Sequence, residues 1–460
     1  MKAPAEGNPP TSGDRGRWSV GTLTYTAGGL ALLFVLLLLG DFAWQMRERS
    51  AAPVVQLLIK RFQASDFLTG FFLITVPWTA IMIVGPAVSF WSDRHRGRWG
   101  RRIPFILVQT PIVALAMVSI AFSPVLGPVL HRALGGRPET VQHTILLLIS
   151  LCWTVFEIGA VTANAVFNAL INDVVPRDLL GRFYGLFRAV GLGAGILFNY
   201  KIIGQAEDHY TVILASIGLL YGAGLTLMCL RVKEGEYPPP PPSPSGGPRV
   251  LWGVIRDYFR DCFAKPYYLV VFIFLGFASL AFIPINTFSI YAAKSYGMTM
   301  ETYGRYLVVT YLCSFCLAYP LGWLADRLHP LRLGIGAMVL YGLAMAVGFW
   351  RVGDARLFGI FFLAHGVLAG TYFTGTAAIA QMLFPKLKFA QFAAAAGLVA
   401  ALCNIALGPV LGAALDWLHN DYRYTFLAGS IIAGTSVVFG FWVHHRWTRL
   451  GGQANYVAPE

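Results

Sequence analysis

Six charged residues stand inside stretches of this chain that are otherwise apolar. Asp41, Arg47, Glu48 and Arg49 fall within Gly40-Asp41-Phe42-Ala43-Trp44-Gln45-Met46-Arg47-Glu48-Arg49-Ser50, Glu157 within Trp153-Thr154-Val155-Phe156-Glu157-Ile158-Gly159, and Arg188 within a later run. Charged groups at such places are costly, so they normally face a cavity, pair with one another, or relay protons. Glu48 and Glu157 are therefore the proton-carrier candidates, with Asp41 in reserve. Asp41, Gln45, Glu48 and Ala52 share one helical face by i, i+3/i+4 spacing. Arg47 and Arg49 point off that face and need other partners. Asn164, Asn168 and Asn172 continue a polar row below Glu157. Alternative readings stay open for each cluster. The Arg47-Glu48-Arg49 stretch either lines a cavity or forms an external loop, and Glu157 carries a proton, forms an ion pair with Arg188, or does both in alternation.

These residues need long apolar elements to position them. The chain has 460 residues, 56% hydrophobic and 12% charged, against about 25% charged in soluble domains. A bilayer span takes about 20 apolar residues. On that ruler twelve spans are expected at 30–58, 66–90, 102–124, 141–170, 182–204, 209–230, 267–292, 303–325, 332–350, 356–383, 389–416 and 422–445. Residues 238–242 are all proline and lead into Ser243-Pro244-Ser245-Gly246-Gly247-Pro248, a linker unable to form a core. Beyond it Leu251, Trp252, Val254, Ile255, Tyr258 and Phe259 alternate with Arg256, Asp257, Arg260 and Asp261, as in an amphipathic helix lying on a membrane face. A solvated connector helix is the alternative. The division is then a tail over 1–29, a six-helix half over 30–230, linker and helix over 231–265, a second half over 266–446, and a tail over 447–460.

Net charge is +13, but Lys and Arg sit in short loops between apolar runs. That is the positive-inside pattern, which places both termini in the cytoplasm, and nucleic acid is not an expected partner. Met1 to Gly21 lacks an apolar core and reads as a cytoplasmic tail, not as a cleavable signal. Cys313 and Cys316 form a CxxC without His or acidic company, so no metal or cofactor is expected. Clustered His, Asp, Glu or Ser typical of an enzyme are absent as well.

The densest charge lies in Trp91-Ser92-Asp93-Arg94-His95-Arg96-Gly97-Arg98-Trp99-Gly100-Arg101-Arg102-Ile103-Pro104-Phe105, with five arginines and one aspartate. A shorter copy, Gly322-Trp323-Leu324-Ala325-Asp326-Arg327-Leu328-His329-Pro330-Leu331-Arg332, occurs after the eighth span. Val174-Val175-Pro176 with Phe183 is echoed by Leu383-Phe384-Pro385 with Phe392. Two similar six-helix halves follow, with a solute site near the midplane between them.

These loops resemble the signature loop of the major facilitator superfamily. The extension from Arg98 to Phe105 resembles the sucrose-transporter branch and the related glycoside–pentoside–hexuronide cation symporters. Gly40, Trp44 and Pro53-Val54-Val55-Gln56-Leu57-Leu58 look like the first span of that branch, and Ala169-Leu170-Ile171-Asn172-Asp173 with Gly181-Arg182 is a third match. The resemblance implies an all-α membrane protein of twelve helices in two pseudo-symmetric halves. It also implies a monomeric, proton-coupled carrier of a sugar or glycoside in the plasma (inner) membrane, and a cytoplasmic latch drawn from Asp93, Arg94, Arg98, Arg101, Arg102, Asp173, Arg182, Asp326 and Arg327. The chain departs from the pattern at Ser89, where the loop usually has glycine, and at Asn168, where the sucrose branch has arginine. The paired second-span aspartates of sodium-coupled relatives are absent; only Asp66 stands at the start of that span.

In the second half Asn286, Lys294, His365, Tyr372, Gln381 and Asn404 are the interior polar residues. His365 could titrate or simply tie helices together. Aromatic residues such as Trp44, Trp78 and Trp153 suit sugar stacking and packing equally. An efflux carrier for amphipathic compounds, or a sensor without transport, are the other function classes the chain leaves open.

Overall fold

In the computed structural model residues 17–137, 140–239, 248–385 and 388–459 are described. Twelve helices among them are long and apolar enough to cross a bilayer: Ala27–Arg61, Asp66–Arg94, Ile103–Ala121, Val141–Val174, Arg177–Gln205, Tyr210–Arg231, Pro266–Ser295, Met300–Leu328, Pro330–Arg351, Ala355–Gly375, Gln391–Trp417 and Arg423–Arg449. The expected twelve spans are all present. Most run a turn beyond the apolar core, because polar ends such as Lys60-Arg61 stay helical where they reach the interface. The first helix is continuous over Ala27–Arg61, so Arg47-Glu48-Arg49 lies inside a span and is not an external loop.

Several elements differ from the sequence expectation. The third span stops at Ala121, and Ser123–Ala133 forms a separate short helix. The tenth stops at Gly375, and Ile379–Leu383 is a short helix of its own. The seventh breaks at Ala281-Phe282 ahead of Pro284. The second and fifth contain π turns at Phe71–Thr75 and Phe198–Ile202. The N-terminal tail is not wholly irregular: Arg17–Val20 and Leu23–Thr26 pair as an antiparallel hairpin. Residues 1–16, the linker residues 240–247 and Lys386-Leu387 lie outside the described residues. Pro248–Phe263 is helical, with Arg256, Asp257, Phe259 and Arg260 exposed and Cys262 buried.

The two halves repeat one packing motif. Phe183, fully buried, meets Phe34 of the first span edge-on at 5.0 Å. Its counterpart Phe392 meets Tyr268 of the seventh span edge-on at 4.5 Å. The residues that echo one another in sequence thus hold equivalent places.

Call the end bearing the two tails and the linker the terminal end, and the opposite end the distal one. The halves meet mainly at the distal end. There the second and eleventh spans touch through backbone: a Cβ on Gly412 would lie 2.2 Å from the Asp66 carbonyl oxygen, and Gly70 and Gly408 face each other equally tightly. Small residues let helices approach this closely in a membrane. The Asp416 carboxylate accepts from the Asp66 and Phe67 backbone N–H groups at 2.8 and 2.9 Å, which completes the positive N-terminus of the second span. Asp66, buried, accepts in turn from Lys60 at 2.9 Å, Asn420 at 2.8 Å and Tyr422 at 3.2 Å. Lys294 is not interior; it bridges to Glu207 at 3.0 Å across the same seam.

A branched side chain at Gly412 should wedge this seam. In a cysteine-free background carrying Thr69→Cys, a position buried in the seam, Gly412→Val is expected to raise labelling by a membrane-impermeant maleimide several-fold. Unchanged labelling would show that the seam tolerates the added volume, against the ~1–3 kcal/mol that overpacking costs.

Candidate functional site

A cavity of about 630 Å³ opens inside the first half, lined by the first, second and fourth spans. Trp44, Gln45, Arg47, Glu48, Trp153, Phe156, Glu157 and Asn164 give it its chemistry, while the second span contributes Leu73, Pro77, Ile81 and Gly85. Arg47 is 2% exposed. Its guanidinium lies 4.1 Å from the Trp44 ring, 5.3 Å from Phe156 and 5.6 Å from Tyr221. Such stacking suits a weakly hydrated planar cation. Nη2 of Arg47 sits 3.2 Å from a Glu48 carboxylate oxygen, yet Nε and Nη2 have no aligned hydrogen-bond acceptor. Sequence spacing put Arg47 off the Glu48 face. The long side chain instead folds across Trp44 into the same cavity.

Other candidates part company with this group. Asp41 is buried on the first span, and its Oδ1 accepts from Gln45 at 3.2 Å while Oδ2 has no hydrogen-bond partner; Asp41 does not line the cavity. Arg49 faces away, over Tyr311 of the eighth span at 5.6 Å and beside Gly195. Glu157 makes no ion pair with Arg188, which is exposed on the fifth span. The structural-pair reading of Glu157 therefore fails, because the two side chains do not meet. Below Glu157 the asparagine row forms a ladder: Asn168 donates to the Asn164 side chain at 2.8 Å, and Asn172 to the Asn168 carbonyl at 3.0 Å.

The second-half candidates lie elsewhere. His365 ties three spans, with Nδ1 2.9 Å from the Tyr341 hydroxyl and Nε2 2.9 Å from the Asn286 side chain. Tyr372 is buried against Phe282 at 5.7 Å. Asn404 donates to the Ala400 carbonyl at 2.8 Å. None of the four lines the cavity.

At the terminal end the arginine loop closes on the foot of the fourth span. Arg101 holds Asp173 through two bonds at 3.0 and 2.6 Å, and Arg102 reaches the same carboxylate at 3.1 Å. Arg102 also donates to Ser92 at 2.6 Å and to Asp93. Charge-assisted, bidentate pairs of this kind are the strong ones. Arg94 stacks on Phe90 at 3.6 Å, and Arg98 lines a groove beside the linker. The second copy does not reproduce this network. Asp326 is exposed, Arg327 stacks on Trp323 at 4.0 Å, and the arginine that follows, Arg332, donates to His444 at 3.3 Å. Arg182 is exposed.

Sequence reasoning missed two partners. Glu234, just past the sixth span, accepts from the backbone N–H groups of Arg101, Arg102 and Ile103 at 3.0, 2.8 and 2.7 Å, so a linker carboxylate caps the third span. Tyr237 donates to Glu234 at 2.9 Å and lies 4.1 Å under the Arg101 guanidinium. The distal cluster of Lys60, Asp66, Asp416, Asn420 and Tyr422 was the other omission. Its only sequence signal was that acids and amides stand at span ends.

Twelve spans in two repeated halves, with a polar cavity within the membrane-spanning body, define the major facilitator fold. The chain belongs to the MFS/sugar transport protein family, which matches residues 23–385. It is 37% identical over 154 residues to the sucrose transport protein SUT1 of Oryza sativa subsp. japonica, a match covering 32% of this chain and 27% of the rice protein. The chain thus aligns with about a quarter of that relative's length. Among solved structures it resembles a bacterial homologue of the human lysosomal transporter Spinster, with a TM-score of 0.66 at 14% identity over 94% of this chain and 98% of the other. It also resembles a D-xylose–proton symporter, with a TM-score of 0.64 at 12% identity over 90% and 97%. At these identities the structural likeness is one of fold.

Asp173 serves two arginines and Asp93 one, and Asp93 is half exposed. Asp173→Asn should therefore cost ~1–3 kcal/mol, the penalty for stranding buried partners, and Asp93→Asn under ~1 kcal/mol, as for an exposed pair. Thermal unfolding in detergent checks the order. Equal midpoints would remove Asp173 as the centre of the network.

Proposed function

We propose that this chain is a secondary carrier that moves a small polar solute, a sugar or glycoside, by alternating access and with a proton. The observation that carries the reading is the cavity itself. It joins the aromatic wall of Trp44 and Trp153 to Gln45, Asn164, Glu48 and Glu157, which can bond hydroxyls, with Arg47 buried behind them. It lies within membrane-spanning helices, where polar groups are retained at a cost. The family match and the partial identity to a sucrose transport protein support a sugar as cargo.

The two ends support alternating access. At the distal end the halves are joined by backbone contact and the Asp66–Asp416 cluster. At the terminal end the arginine loop spends its bonds within the first half and the linker. In this reading the cavity opens towards the terminal end, and the distal cluster must part for the opposite state. On the same reading the terminal end, where the positive-inside pattern supports a cytoplasmic face, meets the cytoplasm, and the carrier works as a monomer in the plasma membrane. Glu157 and Glu48 face the cavity and are the proton sites in this scheme; Asp41, buried against Gln45, is the reserve.

Proteoliposomes loaded at two pH values test the coupling. Uptake of the transported sugar should rise at least several-fold with an inward proton gradient. Glu157→Gln should abolish that gain while leaving solute exchange in place, since exchange needs no net proton movement. Equal uptake with and without the gradient would remove the proton from the scheme.

A further inference from the structure

At the terminal end the first and last spans of the second half leave a cleft of about 270 Å³ between their feet. Lys265 and Tyr267 line it at the start of the seventh span, and Trp442, Arg446 and Arg449 at the end of the twelfth. Pro459 closes one side, held by the Tyr268 hydroxyl, which donates to its carbonyl at 2.8 Å. The Arg446 guanidinium lies over the Trp442 ring at 5.1 Å. No acidic residue lines this cleft, and among the described residues none of its three cations has a carboxylate partner. Other basic hollows at this end are compensated. The groove beside the linker holds Glu234 and Glu236, and the cavity beside the amphipathic helix holds Asp261, bonded to Lys388 at 2.7 Å. Three like charges around one hollow repel one another and focus a positive potential there, which an anion relieves.

The face of the twelfth span that leads into the cleft says what kind of anion fits. Val438, Trp442, Arg446 and Arg449 follow one another along it at helical spacing. Val438 is 68% exposed and its neighbour Phe441 58%, so this face meets the hydrocarbon of the bilayer. The order towards the terminal end is aliphatic, then indole, then cation. An amphiphile in the membrane has the same order, with acyl chain, interface and charged head. A free phosphate would match the last part alone. We propose that the cleft is a binding site for the head of an anionic phospholipid in the leaflet at the terminal end. Its phosphate sits among Lys265, Arg446 and Arg449, its glycerol lies beside Trp442, and its chains run along Val438 and Phe441. Basic pockets between spans at this face suit such heads. The lining belongs wholly to the second half and the tail after it, so the bound lipid braces one of the two bodies and leaves the seam between them free.

The probe is dioleoyl phosphatidylglycerol, titrated into the purified full chain in a neutral detergent, with dioleoyl phosphatidylcholine and inorganic phosphate alongside. Affinity is read from the rise in thermal midpoint, since a ligand of the folded state stabilises it. Phosphatidylglycerol should bind at least about fivefold more tightly than phosphatidylcholine, and Arg446→Gln with Arg449→Gln should lower its affinity about twentyfold, at roughly fivefold per cation. Arg260→Gln with Lys388→Gln removes as much charge from the compensated cavity nearby and should leave the affinity nearly unchanged. All four positions are exposed, so the changes spare the core. Inorganic phosphate should not displace the lipid. The proposal is overturned if the two lipids bind alike, if the Arg446 and Arg449 double variant keeps the affinity of the wild type, or if both double variants lose it equally, which would mean diffuse surface charge. Displacement by inorganic phosphate would overturn it too, as the mark of a free-anion site.

Discussion

A charge inside the membrane cannot be settled by water, so it must be settled by the protein around it. That constraint shapes the interior of this molecule. Arg47 is covered on its faces by three aromatic rings and paired in charge, without an aligned hydrogen bond, with Glu48. Two of those rings, Trp44 and Phe156, also wall the cavity, so the packing that tolerates the charge also shapes the space in front of it. The desolvation of a guanidinium is milder than that of an ammonium because its charge is spread over a plane. This is a reason for arginine here, where lysine would leave a point charge against indole.

The two ends of the bundle solve a different problem, which is to hold together without being permanent. At the distal end contact is made by glycine backbones and by carboxylates on helix ends, an arrangement of short reach that disappears once the helices move apart by a few ångströms. At the terminal end the strong pairs stay inside one half. Arg101, Arg102, Asp173 and Glu234 form a rigid corner between the second, third and fourth spans and the start of the linker. A rigid corner lets a half move as one body.

The spans were legible because apolar length is a strong signal, and the repeat was legible because Phe183 and Phe392 sit at matching offsets from Pro176 and Pro385. The Arg101–Asp173 pairing joins residues already marked by charge. Less was legible where geometry depends on how helices cross. That Arg47 folds onto Trp44, and that Arg188 turns away from Glu157, follows from rotamer and helix rotation, which spacing along the chain does not encode. Glu234 and Asp416 look like ordinary polar ends in sequence. They become meaningful only when the fold sets a helix N-terminus opposite each. The second Asp-Arg loop illustrates the reverse error, since a likeness of motif there carries no likeness of network.

The capping of the third span by Glu234 has a mechanical side. With Arg96 bonded to the Pro238 carbonyl at 3.0 Å and Thr22 accepting from the Glu236 N–H at 2.8 Å, the linker is moored to the first half as far as Pro238. The amphipathic helix that precedes the second half begins at Pro248. Ten Cα-to-Cα steps lead from one to the other, and a fully stretched chain of that length reaches at most ~33–36 Å. The mooring therefore sets a leash on how far the two bodies can part at that end, shorter than a tether counted from the last residue of the sixth span would allow.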